Sequence, residues 1–141
     1  MQAPQFQLNE MSSGAEWSLE QLKGKPVLLT FWASWCPDSS ADLVQKNRFY
    51  EQMNEDSPLQ FVTINVTGRE RREEDPKTYV ENNNYRFPVL QDEGVDTYKR
   101  YKCEGVPSTF IIDEQGEVVA QYGDKASFID IMQSLQKVNS I

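Results

Sequence analysis

The longest continuous run of apolar residues lies at 27–33 and reads VLLTFWA. Pro26 comes before this run, and residues typical of a helix start come after it. A strand that is buried on both faces of a sheet reads as a continuous apolar run rather than an alternating one. The pattern therefore predicts a central strand with helices packed on both of its faces.

Shorter runs predict the remaining strands. Residues 6–8 alternate in polarity and a serine–glycine turn follows, so a short strand or hairpin is expected to open the chain. Residues 59–66 alternate over a longer stretch, and residues 87–90 form a short strand-like piece. Residues 109–112 and 118–122 are strand-like and are joined by an Asp-Glu-Gln-Gly turn, which predicts a β-hairpin.

Helix signals separate these strands. Ser18 and Gln21 have the spacing of a capping box, which predicts a short helix that ends near residue 24. A longer helix is predicted at about 37–53, and another follows Asp75 as its N-cap. Two further helices are expected, one at 96–102 and one along the apolar stripe of Phe128, Ile131, Met132, Leu135 and Val138.

The run at 68–75 reads GRERREED and carries charges of both signs. Such a run is usually a solvated surface, so we expect an exposed loop here. The order of elements is strands alternating with helices, then a hairpin and a closing helix. This order predicts one α/β domain over residues 1–141, with a mixed sheet and helices on both faces.

Composition excludes several kinds of function. The 141 residues contain 14 Lys and Arg against 22 Asp and Glu, a formal charge of −8, whereas nucleic-acid binding needs a basic surface. There is no histidine, which excludes histidine bases and Ser-His-Asp triads. With only two cysteines the chain has neither a disulfide framework nor the usual four ligands of structural zinc. We therefore expect no metal and no cofactor.

The start of the chain bears on where the protein works. No basic segment followed by an apolar stretch opens the sequence, and the longest apolar run is too short to span a bilayer. We expect the cytoplasm if Met1 is the native start. If a leader or N-terminal membrane anchor has been removed, the expected location is outside the cytoplasm.

Cys36 stands where the central strand ends and the long helix begins. Ligands bind at the carboxyl ends of strands in open α/β sheets, and a helix N-terminus stabilises a thiolate. Ser39 lies three residues further on, on the same side of the first helical turn, where its hydroxyl could donate to the sulfur. A buried inert cysteine would belong inside the apolar run rather than beyond its end. The position favours a reactive thiol.

Two segments resemble the signatures of the thioredoxin superfamily. Residues 31–39 read FWASWCPDS and resemble the active-site pattern FWAxWCxxC, and residues 105–110 read GVPSTF and resemble the cis-proline loop. The lead-in at 22–29 and the helix inserted after Val66 are similar to the TlpA/ResA branch of bacterial thiol-disulfide oxidoreductases, of the AhpC/TSA-redoxin type. The resemblance covers nearly the whole chain.

The resemblance implies a three-layer thioredoxin-like fold with an N-terminal β-hairpin extension. It implies that the Val106–Pro107 bond is cis and that this loop faces Cys36. Val106 and Pro107 would then contact substrate, as would Trp35 and Pro37 beside the cysteine.

The sequence departs from the family at the second active-site cysteine, which is Ser39 here. A second thiol normally resolves the mixed disulfide, and a hydroxyl cannot do so. Release would need a substrate cysteine, a small-molecule thiol or Cys103. For Cys103 we favour packing as a small hydrophobic side chain, because nothing local would activate it.

A second departure concerns the acid that handles protons. Thioredoxin has a buried aspartate six residues before the nucleophile, and this chain has Thr30 there. The TlpA/ResA branch often has a glutamate three residues after its second cysteine, and the matching residue is Asp42. Asp42 is thus a candidate for proton transfer, with a solvated residue of the first helical turns as an equal alternative.

Three functions compete. The first is a monothiol oxidoreductase in which Cys36 exchanges with protein or small-molecule thiols and disulfides. The second is a redox-inactive module that binds a partner chain in the cis-proline groove. The third, a thiol peroxidase, is the least favoured, because such relatives have a threonine where this chain has Ala33. A monomer is expected in each case.

Overall fold

A computed structural model describes residues 1–138. The strands are β1 (Gln7–Glu10), β2 (Glu16–Ser18), β3 (Val27–Trp32), β4 (Gln60–Asn65), β5 (Val89–Gln91), β6 (Ser108–Ile112) and β7 (Val118–Tyr122). The helices are α1 (Leu19–Leu22), α2 (Pro37–Gln52), α3 (Asp75–Asn82), α4 (Asp96–Arg100) and α5 (Phe128–Val138), and a 3-10 turn covers Thr67–Arg69.

The strands form one mixed sheet in the order β2-β1-β5-β4-β3-β6-β7. β4 is parallel to both β3 and β5, and the remaining neighbours are antiparallel. The apolar run predicted as the central strand is β3, which pairs with β4 on one side and β6 on the other. All six of its residues are buried. The mixed sheet and the opening hairpin of β1 and β2 are as the sequence predicts.

Helices cover both faces of the sheet. Because side chains alternate along a strand, Leu29 and Phe31 of β3 pack in a cluster with residues of α1 and α4. Leu28 and Trp32 point to the other face, in a cluster with residues of α2 and α5. The result is a three-layer thioredoxin-like fold.

Several element boundaries differ from the predicted ones by one or two residues. Asp75 is the first residue of α3 rather than its N-cap, because helical hydrogen bonding already begins at the carbonyl of Glu74. β5 begins two residues later and ends one residue later than the predicted strand piece. The capping box of Ser18 and Gln21 is present as predicted.

Leu43 of α2 is fully buried in the cluster on the α5 side of the sheet, whereas its neighbour Val44 is 41% exposed. Replacing Leu43 by Ala leaves a cavity in a packed layer, and we expect a loss of about 2–5 kcal/mol in the free energy of unfolding. Val44→Ala is the matched control and should change stability by less than about 0.5 kcal/mol. Urea unfolding measures both. Equal losses in the two variants would show that α2 does not pack as described.

Candidate functional site

Cys36 is the N-cap residue of α2 and follows the end of β3 by four residues. Its carbonyl accepts a hydrogen bond from the backbone N–H of Ser40 (3.0 Å), as the first turn of the helix requires. The residue is 8% exposed, so only a small part of the thiol reaches solvent. The cysteine therefore lies at the positive end of a sixteen-residue helix dipole.

The cis-proline loop faces this thiol. The Val106–Pro107 peptide bond is cis, and both residues are buried. The Cys36 Sγ donates a hydrogen bond to the carbonyl oxygen of Val106 at 3.4 Å. The two loops meet because β3 and β6 are antiparallel neighbours, with Phe31 opposite Ser108.

Ser39 occupies the position of the family's second cysteine and is fully buried. Its hydroxyl oxygen accepts a hydrogen bond from the backbone N–H of Ala33 at 3.5 Å. The hydrogen bond from this hydroxyl to the Cys36 sulfur that the sequence allows is not formed within residues 1–138, and the Cys36 thiol itself donates to Val106. Ser39 therefore ties the first turn of α2 to the end of β3.

Trp35 lies on the open side of the site and is 40% exposed. Its indole Nε1 donates to the carbonyl oxygen of Arg69 at 2.6 Å. The guanidinium carbon of Arg71 lies 5.8 Å from the centre of the Trp35 rings. Pro37, on the other side of Cys36, is exposed. The tryptophan is thus held beside the cysteine by the charged segment that follows β4.

Glu70 is the main correction to the predicted solvated loop. Its carboxylate accepts hydrogen bonds from the backbone N–H of Ser34 (2.7 Å), the Ser34 hydroxyl (2.5 Å) and the side-chain amide of Asn65 (2.7 Å). Charge-assisted hydrogen bonds of this kind are stronger than neutral ones. Glu70 therefore anchors the loop that carries Cys36 to the end of β4.

A buried polar cluster lies between α2 and the sheet. Lys46 is fully buried, and its ammonium donates to Asp42 (2.7 Å), Thr30 (2.9 Å) and Thr109 (2.6 Å). These three acceptors match the three protons of an ammonium group. Burial lowers the pKa of Lys46, while the Asp42 carboxylate opposes that shift.

Asp42 is therefore not the solvated helix residue that the sequence left open. Its side chain is 12% exposed and is ion-paired with Lys46. Sequence reasoning missed Lys46. A signal was present, because Lys46 interrupts the apolar stripe of α2 one turn after Leu43.

Cys103 is half-buried, near the end of α4, and packs against the same hydrophobic cluster that contains Cys36. Burial raises the pKa of Cys103 to about 12, and the Asp92 carboxylate adds to this shift. A hydrogen bond with Ser108 acts in the opposite direction. Both cysteines are free thiols.

Acidic and cysteine side chains do not gather into a metal-binding group within residues 1–138, where no three or more of them are placed to hold an ion. None of the helices in this part of the chain has both the length and the apolar composition needed to cross a bilayer.

Comparison with known proteins gives the family. Residues 1–121 match the AhpC/TSA family. The chain belongs to the AhpC/TSA family. Among curated members, sporulation thiol-disulfide oxidoreductase A of Bacillus subtilis is 31% identical over 96 residues, which cover 68% of this chain and 58% of that protein. Thiol-disulfide oxidoreductase ResA of Bacillus cereus is 28% identical over 137 residues, covering 97% of this chain and 76% of ResA.

A solved structure supports the assignment of this chain to the thioredoxin superfamily. The pneumococcal exposed lipoprotein thioredoxin Etrx1 of Streptococcus pneumoniae superposes with a TM-score of 0.78 at 27% identity. The match covers 95% of this chain and 99% of that one. The chain is a TlpA/ResA-like member of the thioredoxin superfamily.

Replacing Glu70 by Ala should loosen the Cys36 loop. The change leaves the Ser34 N–H and the Asn65 amide without their acceptor, so we expect a loss of about 1–3 kcal/mol in the free energy of unfolding. Trp35 fluorescence should also change, because the indole donates a hydrogen bond to the carbonyl oxygen of Arg69, the residue before Glu70. The exposed Glu73 is the control, and Glu73→Ala should leave both measurements unchanged. A Glu70→Ala variant as stable as the parent would contradict the anchoring role.

Proposed function

We propose that this chain is a thiol-disulfide oxidoreductase that acts through the single thiol of Cys36 on protein or small-molecule disulfides. The observation that carries the proposal is the position of Cys36 at the N-terminus of α2, with its sulfur 3.4 Å from the carbonyl oxygen of Val106 in the cis-proline loop. A helix N-terminus favours the thiolate, which is the attacking species. The names of the relatives support this class of activity.

The reaction is an exchange of thiolates. The Cys36 thiolate attacks one sulfur of a substrate disulfide, a bond forms between the two sulfurs, and the second substrate sulfur leaves as a thiolate. In a dithiol site the next cysteine of the motif would break this mixed disulfide. Ser39 has no sulfur, so we propose that a thiol outside this chain attacks the substrate sulfur of the mixed disulfide. Cys36 then leaves as a thiolate, and the outside thiol is oxidised in its place.

Cys103 is a poor candidate for that resolving thiol. With its pKa raised to about 12, it is almost entirely protonated at neutral pH, and the protonated form does not attack disulfides. Half-burial also limits its access to a mixed disulfide. Both observations support release by an outside thiol.

Asp42 is the residue we propose for proton transfer. Its carboxylate accepts a hydrogen bond from the buried ammonium of Lys46 at 2.7 Å. It lies in the second turn of the helix that begins at Cys36. Trp35, Pro37, Val106 and Pro107 are the proposed substrate contacts around the sulfur.

One observation favours a second function. Cys36 is only 8% exposed, which is low for a nucleophile that must reach a protein disulfide. A redox-inactive module that holds a partner chain beside the cis-proline loop would need no exposed sulfur. In that case replacing Cys36 would leave partner binding unchanged.

Removal of each cysteine distinguishes these functions. We expect Cys36→Ala to lower the rate of insulin reduction, with dithiothreitol as the electron donor, to the rate of dithiothreitol alone. Cys103→Ser should stay within about twofold of the parent, because Cys103 takes no part in the exchange. A parent protein that does not exceed dithiothreitol alone would favour the binding module. Loss of activity in the Cys103→Ser variant would make Cys103 the resolving thiol.

Restoring a second cysteine should change the fate of the mixed disulfide. Ser39→Cys places two thiols three residues apart in the first turn of α2, a separation that a disulfide can span. We expect the mixed disulfide with a substrate to disappear and a disulfide between Cys36 and the new thiol at position 39 to form, as followed by mass spectrometry. Ser40→Cys is the control and should leave the mixed disulfide in place. A mixed disulfide equally long-lived in the Ser39→Cys variant would contradict the role assigned to position 39.

A further inference from the structure

The side of the site with the exposed Trp35 also carries three arginines, in a segment that contains Glu70, Glu73, Glu74 and Asp75 as well. Arg69, Arg71 and Arg72 follow β4 and lie in the segment bonded to the Cys36 loop. Arg69 donates to the hydroxyl of Tyr98 (2.9 Å), and Arg72 approaches Asp75 at 3.8 Å. Arg71 is exposed and forms no ion pair within residues 1–138.

Four acids lie in this segment, and none of them is ion-paired with Arg71 within residues 1–138. Glu73 and Glu74 are exposed, and Asp75 pairs with Arg72. Glu70 turns inward, and its two oxygens are occupied by three hydrogen bonds from Ser34 and Asn65. Arg71 turns the other way, over the exposed Trp35. A guanidinium held over an indole by a cation–π contact keeps N–H groups available, and these match the geometry of a carboxylate.

We propose that Arg71 and Trp35 form a carboxylate-binding surface that selects polypeptide disulfides with an acidic residue next to the reacting cysteine. The inference rests on the proposed thiol-disulfide exchange and names its substrate class. Trp35 directly precedes Cys36, so a substrate segment whose sulfur reaches Cys36 places its neighbouring side chain on this tryptophan. A peptide partner would contact both this surface and the cis-proline loop, whose Val106 carbonyl lies 3.4 Å from the Cys36 sulfur.

The surroundings of Cys36 also set the direction of the substrate. Asp38 is exposed on the first turn of α2, on the far side of Pro37, and Glu104 is exposed before the cis-proline loop. A substrate carboxylate on that side would meet like charge. The acidic residue of the substrate therefore lies over Trp35, and the opposite side of the substrate favours neutral or basic residues.

The test compares activated peptides that differ only in charge. Three short peptides contain one cysteine flanked on both sides by Glu, Gln or Lys, and each cysteine is linked to 2-thiopyridine by a disulfide. Attack by the Cys36 thiolate joins its sulfur to the peptide sulfur, and 2-thiopyridone leaves with the electron pair. The absorbance of 2-thiopyridone gives the second-order rate constant. All chains in this test, including the reference chain, carry Cys103→Ser so that only Cys36 reacts.

We expect the Glu peptide to react faster than the Gln peptide, against the sign of the net charge. Arg71→Gln should slow the Glu peptide by about two- to fivefold, the range for one exposed ion pair, and leave the Gln peptide unchanged. High salt should remove the difference, because it screens exposed charges. Arg48→Gln is the control, since Arg48 is an exposed arginine on α2 and should have no effect.

The outcomes separate this inference from the proposed function. If Cys36 reacts with none of the three peptides, thiol exchange itself is overturned. If all peptides react but the Glu peptide has no advantage, or keeps its advantage in the Arg71→Gln variant, the carboxylate-binding surface is overturned. An equal loss for Arg48→Gln would assign the effect to the overall charge rather than to Arg71.

Discussion

The antiparallel pairing of β3 with β6 is the constraint on which the site depends. β3 carries the chain into the loop that ends at Cys36, and β6 begins directly after Pro107. With Phe31 opposite Ser108, the end of one strand lies beside the start of the other. This register brings the Cys36 sulfur within 3.4 Å of the Val106 carbonyl across 70 residues of sequence. A register shift by one residue would turn every side chain of β3 to the wrong face.

Two charged residues that take no direct part in exchange hold this arrangement from either side. Glu70 ties the Cys36 loop to the end of β4, and Lys46 joins α2 to β3 and β6 through Thr30 and Thr109. A buried charge is costly unless it is paired and fully hydrogen-bonded, and the fully buried Lys46 meets that condition through its ion pair with Asp42 and three hydrogen bonds. The half-buried Glu70 has no ion-pair partner within residues 1–138, but its carboxylate accepts three hydrogen bonds.

The features that local patterns encode could be predicted, and the features that depend on distant partners could not. The apolar run of β3, the capping box at Ser18 and the motif around Cys36 are each readable within a few residues. The sequence around Glu70 is typical of a solvated charge run, and nothing local reveals its partner Ser34, which lies 36 residues away. Lys46 bonds Thr109 across 63 residues. Its place in the apolar stripe of α2 indicates that it points inward, but the acceptors that surround it are set by tertiary structure.

The central claim is that Cys36 exchanges without a second thiol of this chain. The most direct test is to identify the product that Cys36 forms with an oxidant. The reduced protein is incubated with glutathione disulfide, and its intact mass is measured before and after addition of an outside thiol. A single glutathione joined to Cys36, which persists until the outside thiol removes it, is the predicted result. A disulfide between Cys36 and Cys103, seen as the loss of two hydrogens with no glutathione bound, would contradict the account, as would a protein that does not react.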